Sequence, residues 1–521
     1  MGCYHYNLGT LFAERAGLAA EAPALRYPAG DITHARLLAD AEGQAALLLR
    51  QGFARGDVIA IAHNKAPPSY ALMLGALRIG VPYVAIDTAS PPARNAHILR
   101  ISGARALFVD EAEHLPAMRD LADEAGIPAM RVEDALPLTE AERSAQRAAM
   151  AAVDGACIAY IMFTSGSTGM PKGVAVTHQN VLHFIEWGRQ RFRIGTGDVF
   201  ANLSPMYFDN SVFDFYVGLF NGAALAPVHR SLLTAPAALV AHVARMGCTI
   251  WFSVPSLLIY LTTMKALTAT ALPAIRCIIF GGEGYPKTEL VKLHRLYGRQ
   301  ATLVNVYGPT ECTCICSAHD ITDADFTDMT GLPTLGVLNP NFDHLVLDED
   351  GAPADQGELC LIGPNVAAGY FNDPDRSAAA FVTLTDPARF MKRMYRTGDL
   401  VRREGGLLYF VGRKDNQVKH MGYRIELEEV EHGLARLPGV FQAAVIYHRT
   451  HAAYGKLIGF VATGGATSGA ADESALRAQL TQLLPDYMIP SRIILTDHLP
   501  KSPNGKVDRQ RLAALLPEHA G

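Results

Sequence analysis

Residues 160–173, YIMFTSGSTGMPKG, hold the densest chemistry in this chain of 521 residues. An apolar run with the texture of a buried strand opens into four hydroxyl residues, three glycines and one lysine. Such a loop offers backbone N–H groups, hydroxyls and a mobile cation to a triphosphate, and its glycines allow the backbone to approach closely. It departs from a Walker A loop, because Met170 and Pro171 precede Lys172 and Gly173 follows it. Taken alone the stretch also reads as a flexible Ser/Gly surface turn. Seven further clusters set carboxylates, hydroxyls or lysines beside glycines or aromatic residues. They are YFDNSVFD at 207–214, FGGEGYP at 280–286, NVYGPTE at 305–311, GEL at 357–359, YRTGDL at 395–400, GRKDNQVKHMGYRIELEEVE at 412–431 and LPKSPNGKVDR at 499–509.

The elements that must position these residues follow from pattern. Up to about residue 340 short apolar runs alternate with helical stretches: 237–246 and 256–267 read as helices, 248–253, 275–280 and 302–307 as strands. Glycine turns close the last two runs, and this texture indicates parallel α/β layers with ligands at the carboxyl ends of the strands. Thr164, Gly281 and Tyr307 lie at such ends. From about 341 to 414 helices thin out, and 342–348, 357–362 and 406–411 read as strands of a small, barrel-like β subdomain. After Asp415 a compact α+β unit is expected, with strands at 440–447, 457–463 and 492–496 and a helix at 473–484. Its size suits a separate domain. The division is therefore 1–414 and 415–521, with linker-like stretches at 138–155 and 464–472.

Composition narrows the classes. Hydrophobic content of 49% and charged content of 19% describe a folded chain. A net charge of −5 argues against a general nucleic-acid binder. No run of 18 apolar residues exists, the start MGCYHYN lacks secretory features, and Tyr6 stands where a myristoylation signal needs Ser or Thr. A cytoplasmic protein without membrane partners is expected. Of eight cysteines, Cys312, Cys314 and Cys316 are spaced for a strand facing one way. Zinc sites favour Cys-x-x-Cys, so reduced, buried thiols are the reading.

In this order, the eight clusters resemble the adenylate-forming superfamily, and most closely the amino-acid-activating adenylation domains of nonribosomal peptide synthesis. The D-alanine:carrier-protein ligases are close neighbours. The resemblance spans nearly the whole chain and implies ATP and Mg²⁺. Carboxylate attack on the α-phosphorus brings two anions together, so the protein must neutralise charge and hold the reactants in line. By resemblance, Thr164, Ser165, Gly166, Ser167, Thr168, Gly169 and Lys172 wrap the β- and γ-phosphates. Thr310 bonds the α-phosphate and Glu311 holds magnesium. Tyr307 lies against adenine, bordered by Gly281, Gly282, Glu283, Asn305, Val306 and Gly308. Asp399 accepts the ribose hydroxyls, and Arg413 contacts the ribose from the hinge side. Lys506 bridges the substrate carboxylate and the α-phosphate; without the resemblance it reads as a solvated surface lysine. Asp415 is the implied hinge. Rotation there replaces Lys506 by the 419–426 face, with Lys419 and Gly422, for thioester formation.

Asp209 matches the aspartate that pairs with a substrate ammonium, although it could also cap the segment that follows. The other implied pocket positions are Asn210, Phe213, Phe252, Ile279, Gly281, Val306, Cys314 and Ile315. With no charge besides Asp209, they favour a small or medium neutral side chain. Phe213 and Phe252 narrow the cavity on this reading, and Gly281 leaves space where D-alanyl ligases carry cysteine. His34 and Ala85 depart from the family pattern at places read as structural. No Gly-Gly-x-Ser attachment site and no condensation motif occur, so the expected partner is a separate phosphopantetheinylated carrier protein. Two other readings remain: an acyl- or aryl-CoA ligase, against which Asp209 speaks, and a non-catalytic carrier-binding relative. The retained Lys172, Glu311, Asp399 and Lys506 argue against the latter.

Overall fold

The computed structural model describes residues 5–133, 137–166, 169–385, 392–449, 455–463, 472–501 and 507–516. Ser167, Thr168 and Lys506 lie outside the described residues, as does most of the 464–472 stretch. Two large sheets organise the chain up to about residue 340, and one of them takes an edge strand from beyond it. The nine-stranded one carries Thr302–Tyr307, Cys277–Gly281, Ile250–Ser253, Val199–Asn202, Ala224–Pro227 and Pro23–Tyr27 as parallel neighbours, with antiparallel strands at its edges. The seven-stranded one runs Gly369–Tyr370, Lys172–Thr177, Ile158–Thr164, Tyr83–Ile86, Val58–Ala62, Ala104–Val109 and Ala129–Arg131.

Why these runs form layers is visible in their alternation. Ile250, Phe252, Ile279, Val304 and Val306 join Ile59, Ile61, Ala106 and Phe108 in one core shared by both sheets. The intervening Trp251, Ile278, Phe280 and Leu303 face the other way, onto the helices Pro236–Arg245, Pro255–Thr263 and Lys287–Tyr297. Val58, Ala60, Leu107 and Val109 do the same on the far side of the seven-stranded sheet. A period of two that is apolar on both faces requires cover on both faces, which parallel sheets receive from crossover helices.

The β subdomain is an antiparallel sheet of Asp343–Leu347, Gln356–Ile362, Lys392–Glu404 and Phe381–Leu384, with Leu407–Arg413 also pairing to Lys392–Glu404. Among the described residues it is open, so the expected barrel does not close. Beyond it come the hairpin Gln417–His420/Tyr423–Glu426 and a sheet of Gln442–Arg449, Gly455–Ala462 and Arg492–Thr496. The latter has its own core on the helices Leu427–Ala435 and Glu473–Leu480. Among the described residues no helix is long and apolar enough to cross a membrane.

Two expectations need correction. The 138–155 stretch is largely the helix Glu140–Ala151, opened by a capping box in which Thr139 and Glu142 satisfy each other's backbone N–H groups. Thr-x-x-Glu was the available signal. Cys312, Cys314 and Cys316 do not lie on a strand. Thr310–Cys312 is a 3-10 turn, and Thr313 and Cys314 take φ of 58° and 74°, so the segment is not extended, although all three cysteines are buried.

Candidate active site

Strand ends converge on one crevice made of two adjoining cavities. Both are lined by Gly282, Val306, Tyr307, Asp399, Arg413 and Lys419. One extends past Thr164, Ser165, Asp209, Asn210, Thr310 and Arg424, the other past Glu283, Asn305 and Asp415. Hairpin pairing brings Lys172 opposite Thr164 across the glycine–hydroxyl turn. Gly166 and Gly169 are required there: a Cβ would meet the Met170 carbonyl oxygen at 2.1 Å or the His432 ring at 2.7 Å, and Gly169 has φ of 80°. Among the described residues the buried Thr164 hydroxyl has no hydrogen-bond partner, and a phosphate oxygen would suit it.

Ser165 and Gly166 of this loop are engaged by the C-terminal unit. The Ser165 hydroxyl donates to the Arg424 carbonyl at 2.7 Å, and the Gly166 N–H donates to the Glu429 carboxylate at 3.2 Å. Glu429 is itself paired with Arg94. Glu311 is fully buried; it accepts from the Arg424 guanidinium at 2.8 Å and the Tyr370 hydroxyl at 2.9 Å, with Lys172 at 3.5 Å. Burial alone would raise its carboxyl, yet Arg424 and then Lys172 hold it well below the usual carboxylate range. Burial lowers Lys172, the Arg424 charge lowers it further, and Glu311 opposes both. An ionised, oxygen-donor Glu311 fits a hard cation once Arg424 is withdrawn.

Asp399 accepts from the Tyr307 hydroxyl at 2.6 Å and from Arg413 at 2.7 Å, across the ladder that pairs positions 399 and 413. Arg413 also grips Asp415, at 2.8 Å from Nε to Oδ1, where the chain leaves the β subdomain. The hairpin that follows presents Lys419 to both cavities; burial lowers its amine, while Asp399 and Asp209 favour its charged form.

Asp209 does not cap the segment after it, since no backbone N–H there binds its side chain. Its carboxylate faces the cavity and accepts from the Thr310 hydroxyl at 2.5 Å. Burial raises its pKa, against the Thr310 bond and Lys419. Asn210, Phe252, Val306, Cys314 and Ile315 line the same cavity. Phe213, Ile279 and Gly281 do not. Phe213 is wholly buried at the start of a π-helical turn and packs edge-on to Phe252 at 5.4 Å, bracing that ring from behind. Gly281 leaves no space, because a Cβ would meet the Val306 carbonyl oxygen at 2.4 Å and Cγ2 at 2.7 Å. Gly281→Cys is therefore expected to cost about 1–3 kcal/mol of stability through overpacking, measured by denaturant unfolding. Ala85, which was read as structural, also lines the cavity.

Sequence reasoning missed three participants. Arg424 and Glu429 sit in a charged run whose pattern does not say which charges face a partner, although Glu429 shares the buried side of its helix with Val430 and Leu434. Tyr370 had no motif.

Residues 12–371 match the family described as AMP-binding enzyme, and residues 429–506 match the AMP-binding enzyme C-terminal domain. The chain is 31% identical over 463 residues to the D-alanine–D-alanyl carrier protein ligase of Bacillus thuringiensis, covering 88% of this chain and 89% of that one. It is 32% identical over 504 residues to the L-proline–[L-prolyl-carrier protein] ligase of Streptomyces coelicolor, covering 93% and 92%. Among solved structures it is similar to PA1221, an NRPS protein containing adenylation and PCP domains, with a TM-score of 0.82, 28% identity, and coverage of 98% and 84%.

Proposed function

The chain belongs to the AMP-binding enzyme family, and we propose that it activates a small, neutral amino acid as aminoacyl-AMP and then passes the acyl group to the phosphopantetheine thiol of a separate carrier protein. ATP is the nucleotide substrate of such ligases. The carrier-protein ligase relatives and the adenylation–PCP neighbour support the acceptor. The observation that carries the reading is Asp209, a half-buried carboxylate that lines the cavity beside the apolar Phe252, Val306 and Ile315. A carboxylate there suits an ammonium group, and has no partner in a fatty or aryl acid.

In the first half-reaction, Thr164, the glycine turn and Lys172 hold the phosphates while Thr310 steadies the α-phosphate. Glu311 would hold magnesium, which neutralises charge on the phosphates when bound. The substrate carboxylate attacks the α-phosphorus and pyrophosphate leaves. In the second, the C-terminal unit turns about Asp415 and brings Lys419 and Gly422 to the crevice, and the thiol displaces AMP. We propose units 1–414 and 415–521 on this basis. The arrangement described here, with Lys419 facing the cavity and Arg424 on Glu311, supports assignment to the transfer orientation. Magnesium at Glu311 and a cytoplasmic location belong to the same proposal; the described cysteines are all free, which fits a reducing compartment.

Amino-acid-dependent exchange of labelled pyrophosphate into ATP, screened over D-, L- and β-amino acids, tests the reading. Incorporation with a small neutral amino acid is expected, and silence across the panel rejects it. Asp209→Ala should weaken the chosen amino acid by about a hundredfold in kcat/KM, the scale for removing one partner of a buried charge pair, while ATP binding is kept. Burial holds the carboxyl protonated to higher pH than usual. In the wild type, kcat/KM for the amino acid should therefore fall as pH drops through a value above the ordinary carboxylate range. A flat profile there would remove Asp209 as the ammonium partner.

A further inference from the structure

We infer that Glu283 is a positioning residue for acyl transfer: its carboxylate ties the hairpin of the C-terminal unit to the large unit through two backbone N–H groups. The inference rests on the two-orientation reading above. One oxygen accepts the Ser256 N–H at 2.7 Å, and the other accepts the Gly422 N–H at 3.0 Å. Ser256 lies in the first turn of the helix Pro255–Thr263, where the backbone N–H groups have no partner within the helix and the dipole favours an anion. Gly422 is the tip of the hairpin, 139 residues further along the chain.

The two contacts differ in what they require. Holding Ser256 is capping within the large unit and serves any orientation. Holding Gly422 crosses between the units and exists in an arrangement that brings the hairpin to the crevice. Backbone geometry makes that seat specific. Gly422 has φ of 82°, and a Cβ on it would meet Val254 Cγ1 at 2.4 Å, so the bare backbone packs on the residue that precedes the helix. Gly282, with φ of 90°, turns the chain after the strand Cys277–Gly281 and delivers Glu283 to this point. Both carboxylate oxygens are thus committed to amides, and Glu283 contributes to transfer by fixing where the hairpin rests; Lys419, three residues before Gly422, is placed with it.

Hydrogen exchange on the full-length, ligand-free enzyme tests this, following the amides of 417–426. With Glu283→Ala these amides should exchange at least about tenfold faster than in the wild type, the scale for losing a hydrogen bond to a charged acceptor. Glu283→Gln, which keeps one carbonyl acceptor and can still cap Ser256, should give an intermediate rate with an unchanged thermal midpoint. With the amino acid selected by the exchange screen, acyl transfer from preformed adenylate should fall about tenfold relative to pyrophosphate exchange. Equal protection of 417–426 in wild type and both variants would overturn the role of Glu283 while leaving the two orientations standing. A wild-type hairpin that exchanges as fast as exposed backbone would overturn the orientation reading, and the tie with it.

Discussion

Lys506→Ala should lower amino-acid-dependent pyrophosphate exchange by about a thousandfold, the upper range for removing one electrostatic stabiliser of a transition state. Transfer from supplied aminoacyl-AMP to the carrier should stay within a few-fold of the wild type. Two lysines of the proposed C-terminal unit divide the labour on this reading. Lys419 lines both cavities in the arrangement seen here, near Asp399 and Asp209. Joining two anions at phosphorus needs a cation at the reacting oxygens, and Lys506 is the residue the resemblance assigns to it. Loss of both half-reactions to the same degree would contradict two orientations and point to general damage.

Arg424→Gln should produce the reciprocal defect, with transfer reduced by about a hundredfold and pyrophosphate exchange nearly intact. Glu311 and Arg424 form an ion pair between the two units with Glu311 fully buried, and removing one partner of such a pair is costly because the other charge stays desolvated. Lys172 and Tyr370 remain beside Glu311 and limit the loss. The defect should also respond to pH with a definite sign. Burial raises the Glu311 carboxyl, but Arg424 and Lys172 outweigh it and hold the carboxyl well below its usual range. The stabilisation is present above the unfolded-state value and disappears as pH falls through the folded-state one. Without Arg424 the carboxyl rises, so the variant should lose the arrangement at a higher pH than the wild type. Single-turnover transfer across pH measures both effects, and an unshifted profile would show that Arg424 does not set the charge of Glu311.

Much of the site was legible because its residues sit where short apolar strands end in glycine. The apolar runs 275–280 and 302–307 point Gly281 and Tyr307 to strand ends before any contact is known; Tyr307 and the next glycine, Gly282, line the crevice. What could not be read was which side chains cross between units. Glu283 looked like a nucleotide neighbour because it follows Gly282, and its carboxylate turns out to hold two amides, one of them far along the chain. Arg424 lies on the face expected to turn to the crevice, but a charge run has no period that singles out Arg424 or Glu429 as the buried members. Local torsion defeated the cysteine reading: a one-residue spacing implies a common face in extended backbone alone, and Thr313 and Cys314 leave that region. Gly281 misled for a related reason, since a missing side chain creates space where nothing else fills it, and Val306 fills it here.

The Glu429 carboxylate on the Gly166 amide occupies a donor that the proposed function gives to a phosphate. On the proposed phosphate role of this loop, nucleotide displaces an intramolecular rival whose effective concentration is fixed by the chain, and its apparent affinity is reduced by the fraction of molecules in which that rival is docked. Weak ATP binding by the unliganded protein would thus reflect a population already committed to the later step, and a lineage tuning turnover could adjust it from the far side of the hinge without touching the loop that grips the phosphates.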